Sequence, residues 1–231
     1  MFQLSPTEVT AIELSLRVAT VATLVGTPLG IAVAWVLARR EFWGKALVDA
    51  LVHLPLVLPP VVTGYLLLLT FGRRGLVGAW LADHLGLVFA FRWTGAALAC
   101  GIMAFPLLVR PIRLSIEAVD RRLEQAAETL GAAPWRVVFD VTLPLALPGV
   151  LAGMVLGFAK AIGEFGATIT FVSNIPGETQ TISSAIYSLI QTPDGDTAAL
   201  RLVLISVAIA VAALIGAEVF ARRATQRLHG N

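Results

Sequence analysis

From Val18 to Ala38 the chain carries no charged residue. A helix of about 20 residues crosses the roughly 30 Å of hydrocarbon in a bilayer, so this one run already points to a membrane. Comparable runs recur along the chain. The whole sequence is 57% hydrophobic and only 14% charged, against a charged fraction of about 25% in soluble domains. In lipid, every backbone amide needs a partner within the protein, which leaves helices or closed barrels. Runs of this length select helices. The expected fold is an all-α membrane protein, a polytopic bundle of about five spans in a single domain.

The spans read as 18–38, 51–71, 93–109, 148–170 and 200–220. Ser5, Pro6, Thr7 and Glu8 have the capping-box form S-x-x-E with proline at the first helical position, which starts the first helix near Pro6. Glu8 and Glu13 precede any basic residue and the run after them is long, so this segment reads as a retained span rather than a signal peptide. Cys100 is the only cysteine and lies inside an apolar run. It reads as a small buried hydrophobe, since one thiol makes neither a disulfide framework nor a thiolate metal site.

Basic residues collect on the cytoplasmic side of a membrane protein. Arg39, Arg40, Lys45, Arg110, Arg113, Arg121, Arg122, Arg136, Arg222, Arg223 and Arg227 fall on one side of the five spans. Arg73, Arg74, Arg92 and Arg201 fall on the other. The bias places the N-terminus outside and the C-terminus in the cytoplasm. The outer loop from Phe171 to Thr197 holds no basic residue and is rich in turn chemistry, so it is expected to be exposed and irregular.

The segment at about 120–144 is the polar exception, and the charge bias puts it in the cytoplasm. Leu123, Ala126, Ala127 and Leu130 recur at i, i+3, i+4 and i+7, a narrow apolar stripe opposite Glu124, Gln125, Glu128 and Thr129. Gly131 supplies the left-handed residue that ends a helix, and Pro134 opens the next. The pattern predicts a short helix, a sharp corner, and a second helix that returns to the membrane and is stopped by Pro144. Read by itself, such an element packs on a partner protein, on its own bundle, or on the lipid surface.

Gln125, Ala126, Ala127 and Gly131, then Val141, Thr142, Leu143 and Pro144 after nine residues, resemble the EAA loop of ABC importer membrane subunits, E-A-A-x-x-x-G followed by I-x-L-P. Gln125 departs from the glutamate of that pattern and Val141 from its isoleucine. Wider stretches, "HLPLVLPPVVTGYLLL" from His53, "FGRRGLVG" from Phe71 and "GEFGATITFVSNIPGET" from Gly163, are similar to the molybdate permeases of this family more than to its sulfate permeases. The resemblance implies a type I importer permease of the bacterial plasma (inner) membrane that works as a homodimer. It implies two cytoplasmic ATPase subunits that bind ATP and Mg, and an extracytoplasmic oxyanion-binding protein. It also implies a coupling helix at Glu124, Gln125, Ala126, Ala127, Glu128, Thr129 and Gly131, with Leu143 and Pro144 closing the motif. Tungstate, sulfate and thiosulfate are the alternative substrates.

The chain carries no G-x-x-x-x-G-K-[ST], so P-loop chemistry is not its own. No cofactor is expected in the chain, no catalytic constellation is legible, and no nucleic acid is expected among its partners. A proton-coupled secondary transporter working through Lys160 and Glu164 is a less favoured reading.

Pro55, Pro59 and Pro60 lack amide donors, so "LPLVLPP" is not expected to form a regular helix. It is read as a wall or gate of the transport route, or as a simple kink. His53 before it reads as a satisfied polar residue. Lys160 and Glu164, four apart on one helix face inside the fourth span, either attract an oxyanion or pair with each other. Gly163 and Gly166 around Glu164 mark a break, and the resemblance puts this stretch near the pathway. Gly149, Gly153 and Gly157, and Gly26 with Gly30, read as close-packing positions. Arg73 and Arg74 meet either acids of a binding protein or lipid phosphate.

Overall fold

The computed structural model describes the backbone of residues 4–229 and the side chains through Gly216. Phe220, Arg222, Arg223 and Arg227 therefore lie outside the described side chains. All regular elements among the described residues are helical. Among the described residues, four helical runs are long and apolar enough to cross a membrane, namely Pro6–Arg39, Trp93–Ala118, Pro134–Ile162 and Asp196–Gly216. A bent helix pair, Lys45–Val57 and Pro60–Phe71, makes a fifth if it crosses as one span.

Helix α1 (Pro6–Arg39) begins where the capping box predicts. The Glu8 amide donates to Ser5 Oγ and the Ser5 amide to Glu8 Oε2, at 3.3 and 2.7 Å. Helix α5 (Trp93–Ala118) is the central post, packed between α1 and α8 (Leu143–Ile162). One apolar cluster joins Val18, Ala19, Ala96, Cys100 and Phe171, and a second joins Ala34, Leu108, Ile112, Ile116 and Val150 at the other end of α5. Small residues allow this approach. A Cβ on Gly153 of α8 would lie 2.6 Å from the Leu108 carbonyl oxygen of α5.

Long-range polar contacts tie each end of the bundle. Where α1 starts, Arg201 of α11 (Asp196–His229) forms a two-pronged pair with Glu8, at 3.1 and 3.2 Å. There too, the Ile182 amide donates to Ser15 Oγ at 2.7 Å. Where α1 ends, Arg113 of α5 bonds Asp49 of α2 (Lys45–Val57) at 2.7 Å.

Several elements differ from the sequence-based expectation. The stretch 51–71 is two helices, α2 and α3 (Pro60–Phe71), turned by 115°. The helix runs on through Pro55 and gives way only at Leu58 and Pro59, where two consecutive prolines remove adjacent donors. Pro144 does not stop the second cytoplasmic helix. Helix α7 (Pro134–Val137) continues through a π-helical turn, Val138–Thr142, into α8. The Leu143 amide bonds the Val138 carbonyl, five residues back, which accommodates a proline at the next position without ending the helix. The 148–170 run ends at Ile162, and α9 (Gly166–Val172) is a separate short helix. Helix α4 (Leu76–Leu85) lies between the second and third expected spans. The loop read as exposed and irregular contains α10 (Ile182–Leu189), whose Ile182, Ser184 and Ala185 are buried.

Candidate functional site: a protruding corner and a break

Helix α6 (Arg121–Thr129) starts with Asp120, whose side chain accepts from the Arg122 amide at 2.9 Å. It ends in a Schellman turn. The Gly131 amide donates to the Glu128 carbonyl at 2.9 Å and the Ala132 amide to the Ala127 carbonyl at 3.0 Å. Gly131 has φ +87°, the left-handed region in which a side chain is strained. The expected corner is therefore formed by Gly131, and Pro134 sits at the first position of α7.

Leu123, Ala126 and Leu130 of the stripe are exposed. Leu130 is 89% exposed and Leu123 50%, flanked by Trp135 and Phe139 at about 60%. Gln125, Ala126, Glu128, Thr129, Gly131 and Pro144 are exposed, while Ala127 and Leu143 are half-buried. An apolar protrusion on an otherwise polar helix is a surface for contact with another body.

Glu124 differs from the exposed residues of α6, because its carboxylate turns inward onto the bundle. Its Oε1 accepts from Arg39 Nε at 3.1 Å and from Thr142 Oγ1 at 2.6 Å, while Arg39 Nη2 also bonds the Val119 carbonyl at 3.1 Å. One carboxylate thus clamps α6 to the end of α1 and to the π-turn that leads into α8. Arg39 entered the sequence reading only as an orientation charge and Thr142 only as a place in the motif. Pairing across 85 residues has no local signal.

The second region is the break after α8. Lys160 lies in the last turn of α8, and Glu164 follows the end of the helix rather than lying on the same helical face. The pair still forms, with Lys160 Nζ donating to Glu164 Oε2 at 2.6 Å. Glu164 Oε1 accepts the Ala167 amide at 3.0 Å, in the first turn of α9. Each charge complements the helix end beside it. Helix α3 abuts this break, with Pro60 against Gly166 and Gly64 against Ala167. Pro59 and Pro60 are exposed beside it.

Pro55 lies elsewhere. It lines an apolar cavity of about 700 Å³ between α1, α2 and α5, with Val25, Leu29, Leu51 and Phe105 among its walls. Such a lining has few donors for an oxyanion. His53 Nδ1 lies 2.8 Å from the Asp49 carbonyl, the satisfied polar role expected of it.

Comparison with known proteins places this arrangement. Residues 26–226 match the family of binding-protein-dependent transport system inner membrane components. The molybdenum transport system permease protein ModB of Escherichia coli K12 is 59% identical over 217 residues, 94% of this chain and 95% of that protein. ModB of Haemophilus influenzae is 56% identical over 221 residues, 96% of each. The sulfate transport system permease protein CysT of Escherichia coli K12 is 36% identical over 190 residues, 82% of this chain and 68% of that one.

Solved structures share the fold. A bacterial ABC transporter that imports alginate superposes with a TM-score of 0.74 at 21% identity, covering 96% of this chain and 81% of that one. The inward-facing methionine transporter MetNI gives 0.72 at 17% identity, covering 94% and 96%. The chain is a multi-pass membrane protein of the binding-protein-dependent transport system inner membrane component family.

Proposed function

We propose that this chain is the permease subunit of an ATP-driven molybdate importer. The observation that carries the reading is 59% identity, across 94% of the chain, to a molybdenum transport permease, against 36% across 82% for a sulfate permease. Two copies enclose the route, and two cytoplasmic ATPase subunits bind ATP and Mg. An extracytoplasmic binding protein delivers the oxyanion. The N-terminus lies outside and the C-terminus in the cytoplasm, so α6 projects toward the ATPases.

The clamp at Glu124 gives this reading a mechanism. A partner gripping the exposed Leu123 and Leu130 of α6 moves a helix fixed to Arg39 of α1 and Thr142 of the π-turn. Displacement at the cytoplasmic surface is thereby passed to two spans packed on α5, and the bundle alternates between inward and outward openings.

The test is uptake of labelled molybdate into proteoliposomes holding the full complex and loaded binding protein. Uptake is expected to need internal ATP, to survive collapse of the proton gradient, and to persist in excess sulfate. Uptake without ATP, or abolished by sulfate, would reject the reading. Gly131→Pro cannot adopt the left-handed conformation and loses the amide that donates to Glu128. It is expected to abolish uptake while leaving membrane insertion intact.

A further inference from the structure

Two interruptions of helical backbone meet at one place. The break between α2 and α3 sets Pro60 beside Gly166, where an added Cβ would lie 2.7 Å from the proline Cβ. The break between α8 and α9 holds Glu164 and leaves Gly163 exposed. At membrane depth, irregular backbone is tolerated where protein covers it or where it borders water. The exposed Pro59, Pro60 and Gly163 mark the uncovered side of this meeting point.

The ion pair there is asymmetric. The Glu164 side chain is 1% exposed and the Lys160 side chain 28%. Both carboxylate oxygens are engaged within the protein, one by Lys160 and the other by the Ala167 amide. Among the described residues Lys160 makes one hydrogen bond, of the three an ammonium can donate. The pair therefore presents its cation outward and keeps its anion inside.

We propose that Lys160 is the cationic contact an oxyanion meets at this break, with Glu164 as the positioning residue that holds the ammonium there and tempers its charge. This rests on the import reading given above. A tetrahedral oxyanion is bound through charge-assisted N–H donors, and a transport route has to release what it touches. An unopposed ammonium in a partly desolvated wall attracts an anion more strongly than the same ammonium does in bulk water. The Glu164 carboxylate 2.6 Å away offsets that attraction. The outcome is a weak, sign-selective contact.

A purely structural pair makes a different demand. Buried ion pairs are often replaceable by well-fitted neutral groups without loss of stability. The double variant Lys160→Gln with Glu164→Gln keeps an amide hydrogen bond across the break and an acceptor for the Ala167 amide. In the reconstituted full complex it is expected to co-purify with the ATPase partner yet take up molybdate about tenfold more slowly or worse, a loss of about 1.4 kcal/mol. Lys160→Arg is expected to recover uptake relative to Lys160→Gln. Uptake by the double variant within about twofold of wild type would overturn the proposal.

If the double variant fails to assemble, Glu164→Gln alone decides. It retains the cap on α9 while removing the opposing charge, so the washed complex is expected to hold labelled molybdate that wild type releases. No retention, with unchanged uptake, would overturn the proposal. A wild-type complex without ATP-dependent uptake would instead reject the import reading itself.

Discussion

A Cβ added at Gly131 would meet nothing within 4 Å, yet φ there is +87°; at Gly64 the backbone is ordinary helix, yet a Cβ would lie 2.5 Å from the Ala167 carbonyl oxygen. One glycine is required by conformation and the other by volume. The contrast separates two kinds of joint. The corner at Gly131 is exposed and closed by local hydrogen bonds, so it sets the direction of α6 without holding the bundle together. The joint of α3 on α9 is made by contact, so those helices move as a unit or separate. A lever for a partner suits the first kind of joint, and a wall beside a route suits the second.

The largest effect is expected where the lever meets the bundle. Glu124→Ala leaves Arg39, whose side chain is 9% exposed, without its counter-charge. Losing a partly buried, charge-assisted hydrogen bond costs about 1.5–3 kcal/mol. The melting temperature of the purified chain should fall and uptake should be lost. Melting unchanged from wild type would show that the clamp does not hold α6.

Gly64→Ala comes next. A methyl group forced against backbone has no rotamer to escape into, and overpacking of this kind costs about 1–3 kcal/mol. Thermal unfolding in detergent measures it. A neutral result would mean that α3 and α9 are less closely joined than described, and the contrast with Gly131 would dissolve.

Gly131→Ala sharpens the contrast from the other side. A left-handed alanine costs about 1–2 kcal/mol locally, with no steric clash to add. Uptake should drop while the unfolding of the bundle stays close to wild type, the reverse of the Gly64 outcome. Equal losses of stability at both positions would break the distinction.

Leu130→Ser is the mildest change. Truncating an apolar contact on an interface typically weakens binding by about 1 kcal/mol, and ATPase co-purification titrated against detergent or salt would register it. The fold of the chain should be unaffected, because Leu130 is 89% exposed.

Legibility followed the range of the interaction. The capping box at Ser5, the left-handed Gly131, proline at the start of α7 and the break near Gly163 all depend on neighbours in the chain. Each was readable from the sequence. Helix α10 was readable too, since Ile182, Ala185, Ile186 and Leu189 recur at helical spacing and meet in one cluster. Turn residues on either side of it drew the reading toward a loop. Pro55 and Pro144 were misread because a proline removes only one donor. The helix continues through Pro55 unaided, and a π-turn carries it past Pro144.

The inward turn of Glu124 was beyond sequence patterning. Its partners lie 85 residues before it and 18 after it, and the spacing of the EAA-like motif marks the residue without saying which way it points. Likewise the asymmetry of Lys160 and Glu164 follows from packing around the break rather than from their separation of four.

The central claim is that α6 faces the cytoplasm and is gripped there by an ATPase. Gln125→Cys tests it directly, because Cys100 is 1% exposed and leaves the new thiol as the reactive one. A membrane-impermeant maleimide is expected to label this cysteine in inverted vesicles and not in right-side-out ones, with labelling suppressed when the ATPase partner is bound. Labelling from the outer side, or undiminished labelling in the assembled complex, would contradict the account.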